Sequence, residues 1–174
     1  KYGSTRIVFG KDITNSYPSP SVAENNPTTI LVKVSHVAAR LDFSQFDVTL
    51  KGFEGNPTVV FDEAKFVNLQ QNGKIVEGDA SVNVKDGAFL NRSNRIGTRW
   101  TDMGTAYGYA NQYRQDSEMN TALYVKFTVD GRTFEKTYPI NPAGITKEVD
   151  HNGIKGGYLY DIKVRWTITP DWGD

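Results

Sequence analysis

The sequence has no cysteine. That absence removes disulfides, thiolate metal sites, cysteine nucleophiles and iron–sulfur clusters together. It has two histidines, His36 and His151, far apart and without HExxH or HxH spacing, so a zinc site lacks its usual ligands. It has no surplus of either charge: 20 Lys+Arg stand against 20 Asp+Glu in 174 residues. Nucleic-acid binding draws on counterion release by an excess of cations, so nucleic acid is not expected as a main partner. A whole-chain attraction to anionic lipid goes with it. No apolar run nears the roughly 20 residues of a membrane-spanning helix, and the longest, Thr28 to Val34, is broken by Lys33. No signal peptide is visible. The chain begins at Lys1 and reads as a mature or trimmed form.

Catalytic constellations are missing as well. There is no Gly-x-Ser-x-Gly elbow to hold a serine nucleophile. Asp62 and Glu63 are adjacent, which on a strand sends them to opposite faces rather than across one glycosidic bond. Gly104-Thr-Ala-Tyr-Gly108 lacks the Lys-Ser/Thr of a phosphate loop. His36 falls on a strand face with Val32 and Val34 and reads as a structural histidine. His151 lies in Asp150-His-Asn-Gly153 and reads as an exposed turn. Asn91-Arg-Ser93 matches a glycosylation sequon, a triplet that also arises by chance. The chain is expected to be non-enzymatic, with no cofactor and no metal.

What is present is an aromatic-rich pattern of period two. Aromatics make up 12%, with 9 Tyr, 9 Phe and 3 Trp. Tyr158, Tyr160, Ile162, Val164, Trp166 and Ile168 alternate with Asp161, Lys163, Arg165 and Thr167, and only Leu159 breaks the rhythm. In a strand this gives one apolar and one charged face; in a helix the same residues would scatter around the circumference. Leu123, Val125, Phe127 and Val129 form a second such run. It meets Phe134 to Ile140 across Asp130-Gly131, a dipeptide suited to the positive φ angles of a type I′ hairpin turn. Phe46, Val48 and Leu50 form a third, and Ile30, Val32, Val34 and His36 a fourth. Weaker strands are expected at Thr58–Phe61, Lys65–Leu69, Ile75–Glu77 and Ser81–Val84, with turns at Asn72-Gly73 and Asp86-Gly87. The fold expected is all-β: an antiparallel sandwich of about seven to nine strands. Residues 1–29 read as an N-terminal arm with one possible strand at Arg6–Phe9, residues 30–172 as a single sandwich domain, and residues 91–120 as a long polar loop. Within that loop Trp100, Tyr107, Tyr109 and Tyr113 stand among Gly, Asn and Gln. They offer an alternative function, a carbohydrate-binding surface module whose rings stack on sugars.

Three segments, in order, carry a family resemblance. Val32-Lys-Val-Ser-His-Val-Ala-Ala-Arg-Leu-Asp-Phe43 is similar to an early strand of the fimbrillins of Bacteroidales. Tyr107-Gly-Tyr-Ala-Asn111, then Asn120-Thr-Ala-Leu-Tyr-Val-Lys-Phe-Thr-Val-Asp-Gly131 and Tyr138-Pro-Ile140, resembles a second family signature. Gly157 to Trp166, followed by Pro170-Asp-Trp172, resembles the family's last strand. The usual Arg-Asn lead-in to that strand is replaced by His151-Asn-Gly-Ile-Lys-Gly-Gly157. The resemblance spans roughly residues 28–172. Typical members have two such domains, whereas this chain holds about one.

The resemblance implies a transthyretin-like, Greek-key sandwich that travels as a lipoprotein precursor to the outer membrane and cell surface. There an N-terminal strand is removed and a neighbour's strand fills the groove, building a type V fimbrium, or pilus, that supports cell adhesion. The implied partners are other pilus subunits, alike or different, and surface ligands of host or bacterium, with membrane contact only through an upstream lipid anchor. Tyr158, Tyr160, Ile162, Val164, Trp166, Ile168 and Trp172 are the expected assembly strand. The alternation alone fits equally a strand that completes its own sheet and one that completes a neighbour's.

Overall fold

The computed structural model describes residues 37–74, 81–90 and 93–170, together with the backbone of three strands nearer the N-terminus. Fourteen strands are described: β1 Tyr2–Ile7, β2 Asn15–Pro18, β3 Leu31–Val34, β4 Ala38–Leu50, β5 Val59–Val67, β6 Leu69–Gln70, β7 Val84–Lys85, β8 Asn94–Ile96, β9 Arg99–Tyr109, β10 Asn111–Gln112, β11 Ala122–Val129, β12 Arg132–Pro139, β13 Gly153–Ile154 and β14 Tyr158–Ile168. No helix occurs among the described residues.

The largest sheet runs β1-β14-β4-β9-β6-β7, with β8 folded back on β9. A three-stranded sheet, β12-β11-β5, faces it. The contact between the two is aromatic. Phe127 of β11 meets Phe46 of β4 at 5.2 Å and Trp166 of β14 at 5.2 Å, both edge-to-face, and Phe61 of β5 meets Trp100 of β9 at 6.3 Å. Such pairs add about 0.5–1.5 kcal/mol each beyond the area they bury. Leu41, Phe43, Phe46, Phe66, Leu123 and Phe127 have no measurable exposure, so the core lies between these two layers.

The expected hairpin at Asp130-Gly131 forms. Both residues have positive φ, 45° and 81°, and β11 and β12 pair antiparallel from Val129↔Arg132 to Ala122↔Pro139. The Asp130 carboxylate and backbone N–H also clasp Thr58, accepting from its N–H at 2.7 Å and donating to its carbonyl at 2.9 Å. This ties the hairpin to the start of β5. The two weak strands expected at Thr58–Phe61 and Lys65–Leu69 are mostly one strand, β5, with a bulge opposite Lys126/Phe127.

In β4 the apolar parity changes: Leu41 and Phe43 are odd, Phe46, Val48 and Leu50 even. The register shifts at Ser44 against both β9 and β14, so one bulged residue keeps both sets on the core side.

Two features differ from expectation. The large sheet is not purely antiparallel, because β14 runs parallel to β4 from Leu159↔Arg40 to Ile168↔Leu50. The chain from Lys51 to Gly157 separates the two strands, so no tight turn dictates their relative direction. Residues 91–120 are also not one long loop: β8, β9 and β10 run through them, and β9 is eleven residues long. It reads as loop because, after Trp100 and Met103, its core-facing positions Gly104, Ala106 and Gly108 are small. A Cβ on Gly104 would come within 2.7 Å of a Leu90 methyl, and one on Gly108 within 3.4 Å of a Leu69 methyl. The bulk that fills this part of the core comes from those leucines. Ile75–Glu77 and the sequon residues Asn91 and Arg92 lie outside the described residues, as do His36 and Trp172; of the strand expected at Arg6–Phe9, Arg6 and Ile7 belong to β1 and the rest lies outside.

Candidate functional site

The strand singled out by its alternation, β14, lies inside the large sheet. On one side it pairs with β4; on the other it pairs antiparallel with β1, from Tyr2↔Lys163 to Ile7↔Tyr158. Tyr160, Ile162, Val164 and Ile168 are buried, Tyr158 and Trp166 pack against the core, and Asp161 and Lys163 are partly exposed between them. In this chain β14 is therefore paired at home with β4 from Leu159 to Ile168 and with β1 from Tyr158 to Lys163. Among the described strands β1 pairs with β14 alone.

The end of the fold that leads into β14 is closed by asparagines. Asn68, at φ 57°, donates to the carbonyls of Glu118 and Asn120 at 2.6 and 3.0 Å, while its own carbonyl accepts from the Thr121 hydroxyl at 2.7 Å. Asn111 donates to the Met119 carbonyl and to Thr121 Oγ1. The Asn120 amide bonds both the N–H and the carbonyl of Arg114. Asn141, at φ 50°, donates to the carbonyls of His151 and Gly153, and Gly153 N–H returns to the Asn141 carbonyl at 2.6 Å. Asn111, Asn120, Thr121 and Asn141 are nine-tenths buried or more. A buried amide with its donors satisfied by loop carbonyls acts as a cross-link between loops. Asn111, Asn120 and Thr121 belong to the segments that carry the family resemblance; their sequence signal was an aromatic-plus-Asn motif, and the structure gives it this closing role.

His151 is not an exposed turn residue, as its sequence had implied. Its side chain is 14% exposed and sits edge-on to Tyr158 at 4.7 Å. The loop doubles back so that Nε2 lies 2.8 Å from the Tyr160 hydroxyl, which also accepts from Lys155 N–H at 2.7 Å. Nδ1 faces Asp150 Oδ1 at 3.6 Å. With the proton on Nδ1, Tyr160 donates to Nε2. Burial lowers the His151 pKa below its ordinary value, opposed by Asp150, and burial raises that of Tyr160. The neutral imidazole and the neutral phenol thus favour each other, and they fasten the loop before β14 to the strand itself.

The four aromatic residues proposed for sugar contact do not form one surface. Trp100 is 4% exposed and packs on Phe46 at 5.5 Å, with the Arg95 guanidinium over its ring at 4.7 Å. It is a core residue and offers no face to a ligand. Tyr113 is half-buried next to Gly153. Tyr107 and Tyr109 share the outer face of β9. Tyr107 is 64% exposed, and the Tyr109 ring rests on Gly73. Beside Tyr107 in the register stands Arg40, whose Nε donates to Asp42 Oδ1 at 2.9 Å; Thr105 donates to the same oxygen at 2.7 Å.

The fold is similar to that of a candidate cell adhesion protein from Parabacteroides distasonis, with a TM-score of 0.58 and 22% identity over 80% of this chain. The match covers 45% of that protein, so the chain spans less than half of its length. The sequence matches no protein-family model, and none of the curated proteins matches it. Among the described residues no helix is long and apolar enough to cross a membrane.

Proposed function

We propose that this chain is a structural, non-enzymatic subunit of a bacterial surface fimbria. It joins other subunits by β-strand donation and supports adhesion. In this reading the two sheets form a transthyretin-like sandwich, and the subunit reaches the outer membrane as a lipoprotein, as the fimbrillin resemblance implies. The three ordered sequence segments support it, and so does the likeness in fold to a candidate adhesion protein.

The observation that carries the proposal is the place of β1. Among the described strands it is held by a six-residue ladder to a single neighbour, whereas β14 is held by that ladder and by ten further pairs to β4. Releasing β1 breaks one ladder; donating β14 would break two and withdraw buried side chains. The exchangeable strand is therefore β1, and the assembly strand β14 is the receiving edge. Tyr158, Tyr160 and Ile162 stand opposite Ile7, Thr5 and Gly3 there. An incoming strand restores the backbone hydrogen bonds that β1 gave up, and a head-to-tail contact that does not close extends as a filament.

The test is to fold the chain with a specific protease site inserted after Ile7, cut it, and follow its size by chromatography and electron microscopy. Cutting is expected to convert a monomer into heat- and detergent-resistant oligomers or filaments. A cut chain that loses residues 1–7 and stays monomeric contradicts the proposal.

A further inference from the structure

We propose that the outer face of β4 and β9 around Tyr107 is a binding subsite for a neutral glycan. The site is not the aromatic loop that the sequence pointed to, since Trp100 is in the core and the residues that complete the site lie on β4.

Tyr107 is the most exposed aromatic residue on the large sheet among those described, at 64%. Its neighbours are a complementary donor and acceptor. The Arg40 guanidinium uses Nε on Asp42 Oδ1, and Thr105 Oγ1 bonds the same oxygen. The terminal N–H groups of Arg40 donate to no described residue, and the second oxygen of Asp42 accepts from none. The Arg40 side chain is 44% exposed and that of Asp42 20%, so both heads are reachable from solvent. An electron-rich ring face, a fixed fork of donors and a carboxylate acceptor thus stand together on one rigid pair of strands.

A pyranose presents the matching set. Its axial C–H face packs on an aromatic ring, and neighbouring hydroxyls can each accept from a guanidinium and donate to a carboxylate. The two charges cancel in the pair, so the site has no net attraction for an anion or a cation; an acidic sugar would meet Asp42 and a basic one Arg40. Tyr109 lies two residues along the same face, roughly 7 Å away by strand geometry. Its ring is braced by Gly73, where a Cβ would come within 2.5 Å of it. It can meet the next sugar of a chain. The face is open and offers one largely exposed ring, so a single subunit binds weakly, at about millimolar Kd.

The experiment is a two-dimensional amide NMR titration of the full chain with lactose, maltose, cellobiose and mannobiose, with sialyllactose as the acidic comparison. At least one neutral disaccharide is expected to shift the amides of Arg40, Asp42, Thr105 and Tyr107 saturably. Tyr107→Ala, at an exposed position, is expected to leave the rest of the spectrum unchanged and to weaken binding about tenfold; Asp42→Asn weakens it several-fold, and Tyr107→Phe retains it. The proposal is overturned if none of the neutral probes shifts this face, if binding survives Tyr107→Ala unchanged, or if sialyllactose binds more tightly than lactose. Because the titration is done on the monomer, failure of the fimbrial reading leaves its outcome unaffected.

Discussion

A chain ending at Lys155 is expected to show no cooperative unfolding transition. It lacks β14, and with it the buried side chains of Leu159, Tyr160, Ile162, Val164 and Ile168. Five such side chains at about 1.5–3 kcal/mol each represent roughly 7–15 kcal/mol gross, which equals the whole net stability of a typical domain, about 5–15 kcal/mol. The truncation also strips hydrogen bonds from β4, turns it into an edge, and takes away the Tyr160 hydroxyl that holds His151. Thermal unfolding followed by circular dichroism checks this. A truncated chain that melts sharply near the temperature of the full chain would mean that β14 is an appendage rather than an inner strand.

Gly153→Ala is the single substitution expected to cost most outside the aromatic core, about 2–4 kcal/mol. Gly153 has φ 75°, a region that costs an alanine roughly 1 kcal/mol. The larger part is steric. A Cβ there would lie 2.5 Å from the Asn111 carbonyl oxygen and would overlap the Tyr113 backbone nitrogen. Those atoms are backbone, fixed by the β10–β13 pairing and by the asparagine bonds, so they cannot rotate away as a side chain can. Overpacking against fixed atoms costs about 1–3 kcal/mol. Chemical denaturation of the variant should show the midpoint falling with an unchanged slope. A midpoint within error of the parent would mean that the 111–121 and 141–153 loops are free to part.

Much of this architecture is legible in the sequence because it follows from local rules. The alternation of Tyr160 to Ile168 marks a strand with a buried face, and Asp130-Gly131 marks a hairpin whose two left-handed residues appear at those positions. The change of parity between Phe43 and Phe46 is also visible, and a bulge at Ser44 is its physical consequence. What was hidden depends on partners distant in the chain. From Gly104 to Tyr109, β9 is built of Gly, Ala, Thr and Tyr because Leu69 and Leu90 supply the volume on its inner side there. Neither the parallel pairing of β14 with β4 nor the place of β1 beside it is encoded within either strand. At the candidate sites, exposed and buried aromatics look alike in sequence: Trp100 and Tyr107 sit seven residues apart in one strand, one in the core and one in water. Arg40 and Asp42 could be joined to Tyr107 only once the β4–β9 register was known.

Amide hydrogen exchange on the intact chain separates β1 from β14 most directly. If β1 is the replaceable strand and β14 the permanent edge that receives its substitute, the β14 amides bonded to β4 exchange only through global unfolding. Those of β1 then exchange through local release, at least about 100-fold faster. Exchange of β1 and β14 together, at one slow rate, would mean that the two strands part only when the whole fold does, and the proposed exchange at this edge would have no strand to give up.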